Sequence, residues 1–429
     1  MMKELAVGGA RPLPYNGLMT TPAQPLALYV HIPFCETKCP YCDFNTYAGI
    51  ENMMPAYVNA LVNEITQWGA MLERPHVPTV FFGGGTPSYL PTTDLARLMA
   101  TINDAFNVSH EAEITLEANP GDLTAEHLTG MREAGFNRIS IGVQSLDDSL
   151  LQVLGRRHNA SQAKAAAVAA RQAGFTNLSL DLMFGLPNQL LDVWRRTLEE
   201  TLALEPDHLS VYGLTLEKGT PLEADVRLGR TPEPDIDVAA DMYEMALDML
   251  PKAGYPQYEV SNWAKAGYRS LHNLTYWLSK PYLGVGPGAH SYLWGQAPLG
   301  TDGYGKRLAN VASPRAYMQR VRGWQFAASD EAGDIAFAGA VETADEISAA
   351  IAMRETMMMG LRLNDGVPDA EFSARFGSSI ADAFPEALPE CLEWGLVIWK
   401  NGSLRLTDSG RPLGNEVFMR FVTEPVAQS

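Results

Sequence analysis

Between residues 26 and 290 the chain alternates short β-branched or aromatic runs with longer stretches that carry apolar residues at helical spacing. The strand candidates are residues 26–32, 79–82, 113–117, 138–143, 178–183 and 208–214. Between them, residues 55–71, 93–106, 125–134, 161–173 and 191–204 read as helices. Strands that alternate with helices of this length predict βα units, with the strands parallel and the helices outside. About six such units are too few for an eight-fold barrel, so the pattern predicts an α/β fold, a partial (β/α)6 barrel. In a parallel barrel the loops after the strands gather at one end, and functional residues belong there.

Beyond the barrel the pattern changes. Residues 301–344 mix Gly, Ala and Asp with little periodicity and read as a connector. A helix is expected over 346–361, where Met357, Met358 and Met359 read as core filling before they read as soft ligands. The stretch that follows predicts helices, a two-stranded wing and a last helix over 412–421, a winged-helix-like α+β module. The domain organisation is therefore an N-terminal arm (1–25), a barrel (26–300), a connector (301–344) and a C-terminal module (345–429).

Composition narrows the classes. No apolar run approaches the ~18 residues needed to span a bilayer, so an integral membrane protein is not expected. Residues 1–25 lack a charged segment followed by an apolar one, and so read as a loose arm, not a signal peptide. A formal net charge of −18 opposes nucleic acid, whose binding rests on Lys and Arg at the phosphates. This speaks against a DNA-binding regulator despite the winged-helix-like end. Four cysteines, three of them in one cluster, make no disulfide framework and suggest a reducing cytoplasm.

Those three cysteines carry the first chemistry. Cys35, Cys39 and Cys42 are spaced C-x3-C-x2-C on the loop after the first strand. Thiolate is the ligand that iron–sulfur clusters require, and three of them leave one iron of a four-iron cluster open to a small molecule. The plainer reading is a zinc site completed by His31 or a distant residue, but no second half of a zinc motif follows. Cys391 lies far downstream beside Leu392 and Trp394 and reads as a small buried hydrophobe.

The loop, with Tyr41 before the third cysteine, resembles the signature of the radical S-adenosylmethionine (SAM) superfamily. That resemblance implies a [4Fe–4S] cluster whose open iron is chelated by the amino and carboxylate groups of SAM. It extends along the βα series. Gly83-Gly84-Gly85-Thr86 resembles the superfamily's GGE segment near the SAM amino group. Gly85 and Thr86 stand where other branches have glutamate, a departure shared with the oxygen-independent coproporphyrinogen III oxidase branch. Tyr29, Glu117, Gln144, Arg156 and Asp181 stand where that branch has its SAM-site residues, in the same order. The residues suit this role on their own terms. A strand-end carboxylate such as Glu117 can accept two ribose hydroxyls, the Arg156 fork can hold a carboxylate, and Asp181 is a charge inside an apolar run.

Two departures separate the chain from that oxidase. Phe44 stands where the oxidase carries a fourth cysteine, and the oxidase's longer N-terminal segment is hard to find before Leu26. A second motif, His272-Asn273-Leu274-Thr275-Tyr276-Trp277, is similar to the H-N-x-x-Y-W signature of the heme chaperones related to the oxidase. An imidazole from His272 can ligate heme iron, and Tyr276 and Trp277 can cover a porphyrin face. A histidine beside aromatics is also a common core residue satisfied by hydrogen bonds. His290, after the glycine-rich 284–288 segment, is the rival ligand.

The expectation is thus a cytoplasmic heme chaperone on a radical SAM scaffold, holding a [4Fe–4S] cluster and exchangeable SAM and delivering heme to an acceptor protein. The alternative is a radical enzyme that decarboxylates porphyrinogen propionates, in which SAM is cleaved with the help of an electron donor.

Overall fold

The computed structural model describes residues 24–294, 304–326 and 339–423, so the expected N-terminal arm lies almost wholly outside the described residues. Six strands pair in parallel and in sequence order: β1 (Ala27–Ile32), β2 (His76–Gly84), β3 (Asn107–Ala118), β4 (Arg138–Gln144), β5 (Asn177–Phe184) and β6 (His208–Gly213). Helices α1 (Met54–Met71), α2 (Thr92–Ala105), α3 (Ala125–Glu133), α4 (Asp148–Val153), α5 (Ala160–Gln172) and α6 (Leu191–Leu202) return the chain between them. This is the expected partial barrel.

The strand period of two explains how the barrel divides its faces. Leu28, Val30, Val80, Phe82, Leu116, Ile139, Ile141, Leu178, Leu180 and Leu209 form a core with no exposed surface. The intervening positions are Phe81, Glu117, Arg138, Ser140, Asp181 and Ser210, and they line a single cavity on the concave side. Strands of a parallel sheet are usually apolar on both faces. Here one face is polar, the mark of an interior kept for a ligand.

Past β6 come α7 (Pro221–Arg227), α8 (Ile236–Lys252), the strand pair β7 (Gln257–Glu259) and β8 (Asn262–Ala264), and the short helix α9 (Leu271–Trp277). Glu113 of β3 fixes the start of α9. Its carboxylate accepts the N–H groups of Leu271 (3.1 Å) and His272 (3.0 Å), favourable at a helix N-terminus. Then β9 (Tyr282–Val285) pairs in parallel with β1, and β10 (His290–Leu293) runs antiparallel to it.

Residues 301–344, expected as a connector, contain sheet instead. The strands β11 (Lys306–Asn310) and β12 (Val341–Glu346) continue the sheet antiparallel beyond β10, with the helix Pro314–Val321 between them. The anchor is Glu64 of α1, which is fully buried. It accepts from Tyr317 Oη (2.6 Å), Asn310 Nδ2 (2.8 Å) and Gly286 N–H (2.7 Å). Burial pushes this carboxyl up to about 7. The polarity of these short strands hid them from a periodicity reading.

The C-terminal module has its own core of Phe372, Phe376, Cys391, Leu404 and Phe421, and Met357 is buried in it as a packing residue. Its hairpin, Val397–Lys400 with Ser403–Leu406, is the expected wing. Arginines hold the module to the barrel. Arg362 stacks on Trp277 (5.5 Å) and Phe418 (4.9 Å), while Arg411 donates to Gln257 Oε1 (2.8 Å). No helix of the described residues is long and apolar enough to cross a membrane.

Candidate cluster and cofactor site

The loop that follows β1 is pinned at its start, its middle and its far side. Cys35 N–H donates to the Tyr47 carbonyl (3.0 Å), and Tyr47 N–H returns to the Pro33 carbonyl (2.8 Å). Lys38 Nζ donates to the carbonyls of Phe44 (3.0 Å) and Thr46 (3.3 Å). Arg157 bridges Glu36 of the loop and Asp122 after β3 (2.7 Å to the latter), and Asp122 accepts from Ser88 (2.9 Å). The loop is thus held by three neighbouring βα connections.

Cys35, Cys39 and Cys42 are free, partly exposed, and line the cavity of about 590 Å³ that opens above the strand ends. Thr86 Oγ1 lies 3.4 Å from Cys35 Sγ, and Arg156 Nη1 lies 3.5 Å from Cys39 Sγ. Among the described residues no three His, Cys, Asp or Glu side chains converge on one metal ion, the arrangement zinc needs. A four-iron cluster takes each thiolate at a different iron, and a soft three-thiolate set facing a cavity fits that group. Burial raises the Cys35 and Cys42 thiols, so deprotonation is coupled to binding a cationic centre.

The glycine segment lies against this loop because nothing larger fits. Gly84 has φ +109°, and a Cβ there would meet the His31 ring at 2.5 Å; a Cβ on Gly85 would meet the Phe34 carbonyl at 2.6 Å. Thr86 follows and faces Cys35. Tyr29 does not line the cavity directly; its hydroxyl bonds His31 Nδ1 (3.0 Å) and its ring stacks near Phe81. Glu117 Oε2 accepts the Gly84 N–H (3.2 Å), and burial together with Asp181 pushes its carboxyl up to about 7. Asp181 Oδ1 accepts from Ser140 (3.0 Å), and burial raises it too. Gln144 takes φ +65° just after the register shift between β4 and β5, which turns its side chain into the cavity. Arg156 Nη2 donates to the Gly142 carbonyl (2.7 Å). The structure therefore gathers Gly84, Gly85, Thr86, Glu117, Gln144, Arg156 and Asp181 with the three cysteines around one space.

The histidine motif is placed differently. His272 is fully buried, with Nδ1 bonded to Thr79 Oγ1 (3.0 Å) and Nε2 to Tyr276 Oη (2.9 Å). Its ring stacks on Phe81 (5.0 Å), and burial lowers its basicity to about 3. No ring nitrogen is free for iron in this conformation. Tyr276 lines the cavity, but Trp277 packs under Arg362 of the C-terminal module, so the two aromatics do not form one porphyrin-covering face. His290 is exposed at the start of β10. Sequence reasoning passed over Arg138, Ser140, Ser210, Tyr212 and Asn273, which also line the cavity. The inward half of the strand alternation was the signal that held four of them.

Residues 29–201 match the model of the radical SAM superfamily, and residues 347–413 match that of the HemN C-terminal domain. The solved structure of Escherichia coli coproporphyrinogen III oxidase (HemN), a radical SAM enzyme, superposes with a TM-score of 0.78. It covers 94% of this chain and 92% of its own at 24% identity, which establishes the shared fold. The heme chaperone HemW of Bacillus subtilis is 38% identical over 92% of this chain and 99% of its own length. The Escherichia coli protein of that name is 36% identical over 93% and 99%. The chain belongs to this heme chaperone HemW family, within the radical SAM superfamily.

Proposed function

We propose that the protein binds heme and passes it to an acceptor protein, with a [4Fe–4S] cluster on Cys35, Cys39 and Cys42 and SAM in the adjoining cavity. The observation that carries this is identity spread over nearly the full length, module included, to proteins named heme chaperone HemW. Phe44, 64% exposed at the cavity mouth, supports it against porphyrinogen decarboxylation, since a phenyl ring replaces the oxidase's fourth thiol.

In the cavity, Gly84 to Thr86 offer backbone to the SAM amino group, Glu117 and Asp181 accept from the ribose hydroxyls, and Gln144 closes the side of the space. Arg156, already beside Cys39, holds the SAM carboxylate. A bound cluster supplies the electron for any SAM cleavage, which requires an external electron donor. Heme binds at His272, Tyr276 and Trp277 once α9 has moved. Ligation there requires that the bonds to Thr79 and Tyr276 break and that Trp277 leave Arg362. Binding and opening of α9 are then one event. Three free thiols on one loop suit a reducing cytoplasm.

The test is an anaerobic heme titration of cluster-loaded protein, followed at the Soret band. Saturable, stoichiometric binding that weakens in His272→Ala is expected. Wild-type protein without specific binding overturns the heme reading. Binding unchanged in His272→Ala but lost in His290→Ala moves the ligand to β10.

A further inference from the structure

Arg138 opens β4 and is 2% exposed, yet its Nε has no hydrogen-bond partner among the described residues. Nor do the described residues include a carboxylate within ion-pair distance of it; the ion pairs of this region belong to Arg157 and Arg171. A buried arginine with Nε unpartnered and no ion pair is unusual, because its charge loses hydration and only carboxylates beyond ion-pair distance, Glu117 and Asp181, offset that loss. It lines the floor of the same cavity, two residues below Ser140, which donates to Asp181.

What surrounds the guanidinium decides its role. Glu113 and Glu117 face the interior from β3, Asp181 from β5, and Glu259 stands behind Tyr258 on β7. His208 of β6 and His272 of α9 are held neutral there, lowered first by burial and then by Arg138. Tyr29 of β1 is a phenol raised by burial, so it brings no charge, and Tyr212 of β6 stands at the cavity wall. An external anion entering this interior would meet several carboxylates and one cation. A ligand with positive charge would meet the complement.

We propose that Arg138 is a positioning residue of the SAM site, acting from beneath Glu117 and Asp181 as the counter-charge that lets two carboxylates face one cavity together. Glu117 and Asp181 accept from the ribose hydroxyls more strongly when ionised, and their negative charge suits a ligand that carries a sulfonium, so the site works best with the pair ionised. Both carboxyls are raised by burial, and Arg138 opposes that rise in each. Removing the guanidinium leaves two like charges close together in a poorly hydrated space, which one of them relieves by keeping its proton. Ser140 and Ser210 remain as donors to Asp181, so the shape of the site survives while its charge does not.

This inference rests on the SAM reading of the cavity and is tested without any turnover. Binding of SAM to the cluster-loaded full-length protein is measured by equilibrium dialysis between about pH 6 and pH 9 for wild type, Arg138→Gln and Arg138→Lys. Wild-type affinity rises as Glu117 ionises near pH 7. In Arg138→Gln the rise moves to higher pH by about one unit, so affinity at pH 7 falls by about fivefold. Arg138→Lys restores the wild-type profile, and iron content is the same in all three. A wild-type profile in Arg138→Gln overturns the proposal, as does a loss independent of pH that Lys does not rescue. Should Arg138→Gln fail to fold, Arg138→Gln/Glu117→Gln replaces it and should bind SAM with a profile flat across neutrality; a profile still rising there overturns the proposal. If the wild type itself binds no SAM, the reading of the cavity falls along with it.

Discussion

The cysteine loop and α9 carry the two motifs that define the chain, and they differ in one physical respect. On the loop the functional atoms are exposed to a cavity while the backbone around them is fixed by Lys38, Tyr47 and Arg157. On α9 the functional atoms are themselves the fixing contacts. His272 spends both nitrogens on Thr79 and Tyr276, and Trp277 is the platform for Arg362. The first site is preorganised for its ligand. On the proposed reading the second must give up structure before it can bind heme, which makes its affinity depend on the cost of opening as much as on the ligand.

The strongest way to break this contrast is at the loop. Cys39→Ala should abolish cluster loading, read as loss of iron, sulfide and visible absorption, while thermal stability stays near wild type because the loop's own bonds remain. A large stability loss would show that the loop is organised by the cluster and not by the protein.

Acid comes next. His272 stays neutral in the fold down to about pH 3, whereas an unfolded histidine protonates near 6.5. Its depressed value gives stability that is present above about pH 6.5 and is lost on acidification, by up to about 1.4 kcal/mol per pH unit. Glu64 and Glu259 act in the opposite direction. Their values are raised to about 7, so their contribution is complete at low pH and is lost as pH rises through about 7. Denaturant unfolding of His272→Leu should show a smaller loss between pH 6.5 and pH 4 than wild type; an equal slope would contradict a sealed, neutral His272.

Thr79→Val removes one partner of His272 and leaves Nδ1 unsatisfied in the closed state. The expected cost is about 1–3 kcal/mol of stability, with heme affinity higher by about tenfold because the closed state is weakened. Calorimetric unfolding and the Soret titration read the two sides of that exchange. The smallest effect belongs to Arg362→Ala, which frees Trp277 and should loosen the module by about 1 kcal/mol, seen as a lower thermal midpoint.

Sequence was a good guide to which strand-end residues reach the cavity. Glu117, Gln144 and Asp181 could be placed because apolar runs mark the strands and the loops after them share one rim. It was a poor guide to the interior. Arg138 begins the run Arg138-Ile139-Ser140-Ile141, where the isoleucines announce a strand and the polar residues pass as its solvent face. Only the curvature of the partial barrel shows that this face lines a cavity. Residues 301–344 failed for a related reason: β11 is Lys-Arg-Leu-Ala-Asn, too polar and short to announce itself, and its place is fixed by Glu64, far away in sequence. The H-N-x-x-Y-W motif was legible as a motif, but whether its histidine is free is a property of Thr79 on another strand.

The central claim is that α9 is closed in the free protein and opens to take heme. Amide hydrogen exchange over Leu271–Trp277, with and without saturating heme, tests it most directly. Faster exchange in the heme-bound protein, spreading to the Arg362 contact, is the predicted result. Saturable heme binding that leaves these amides as protected as before would contradict it.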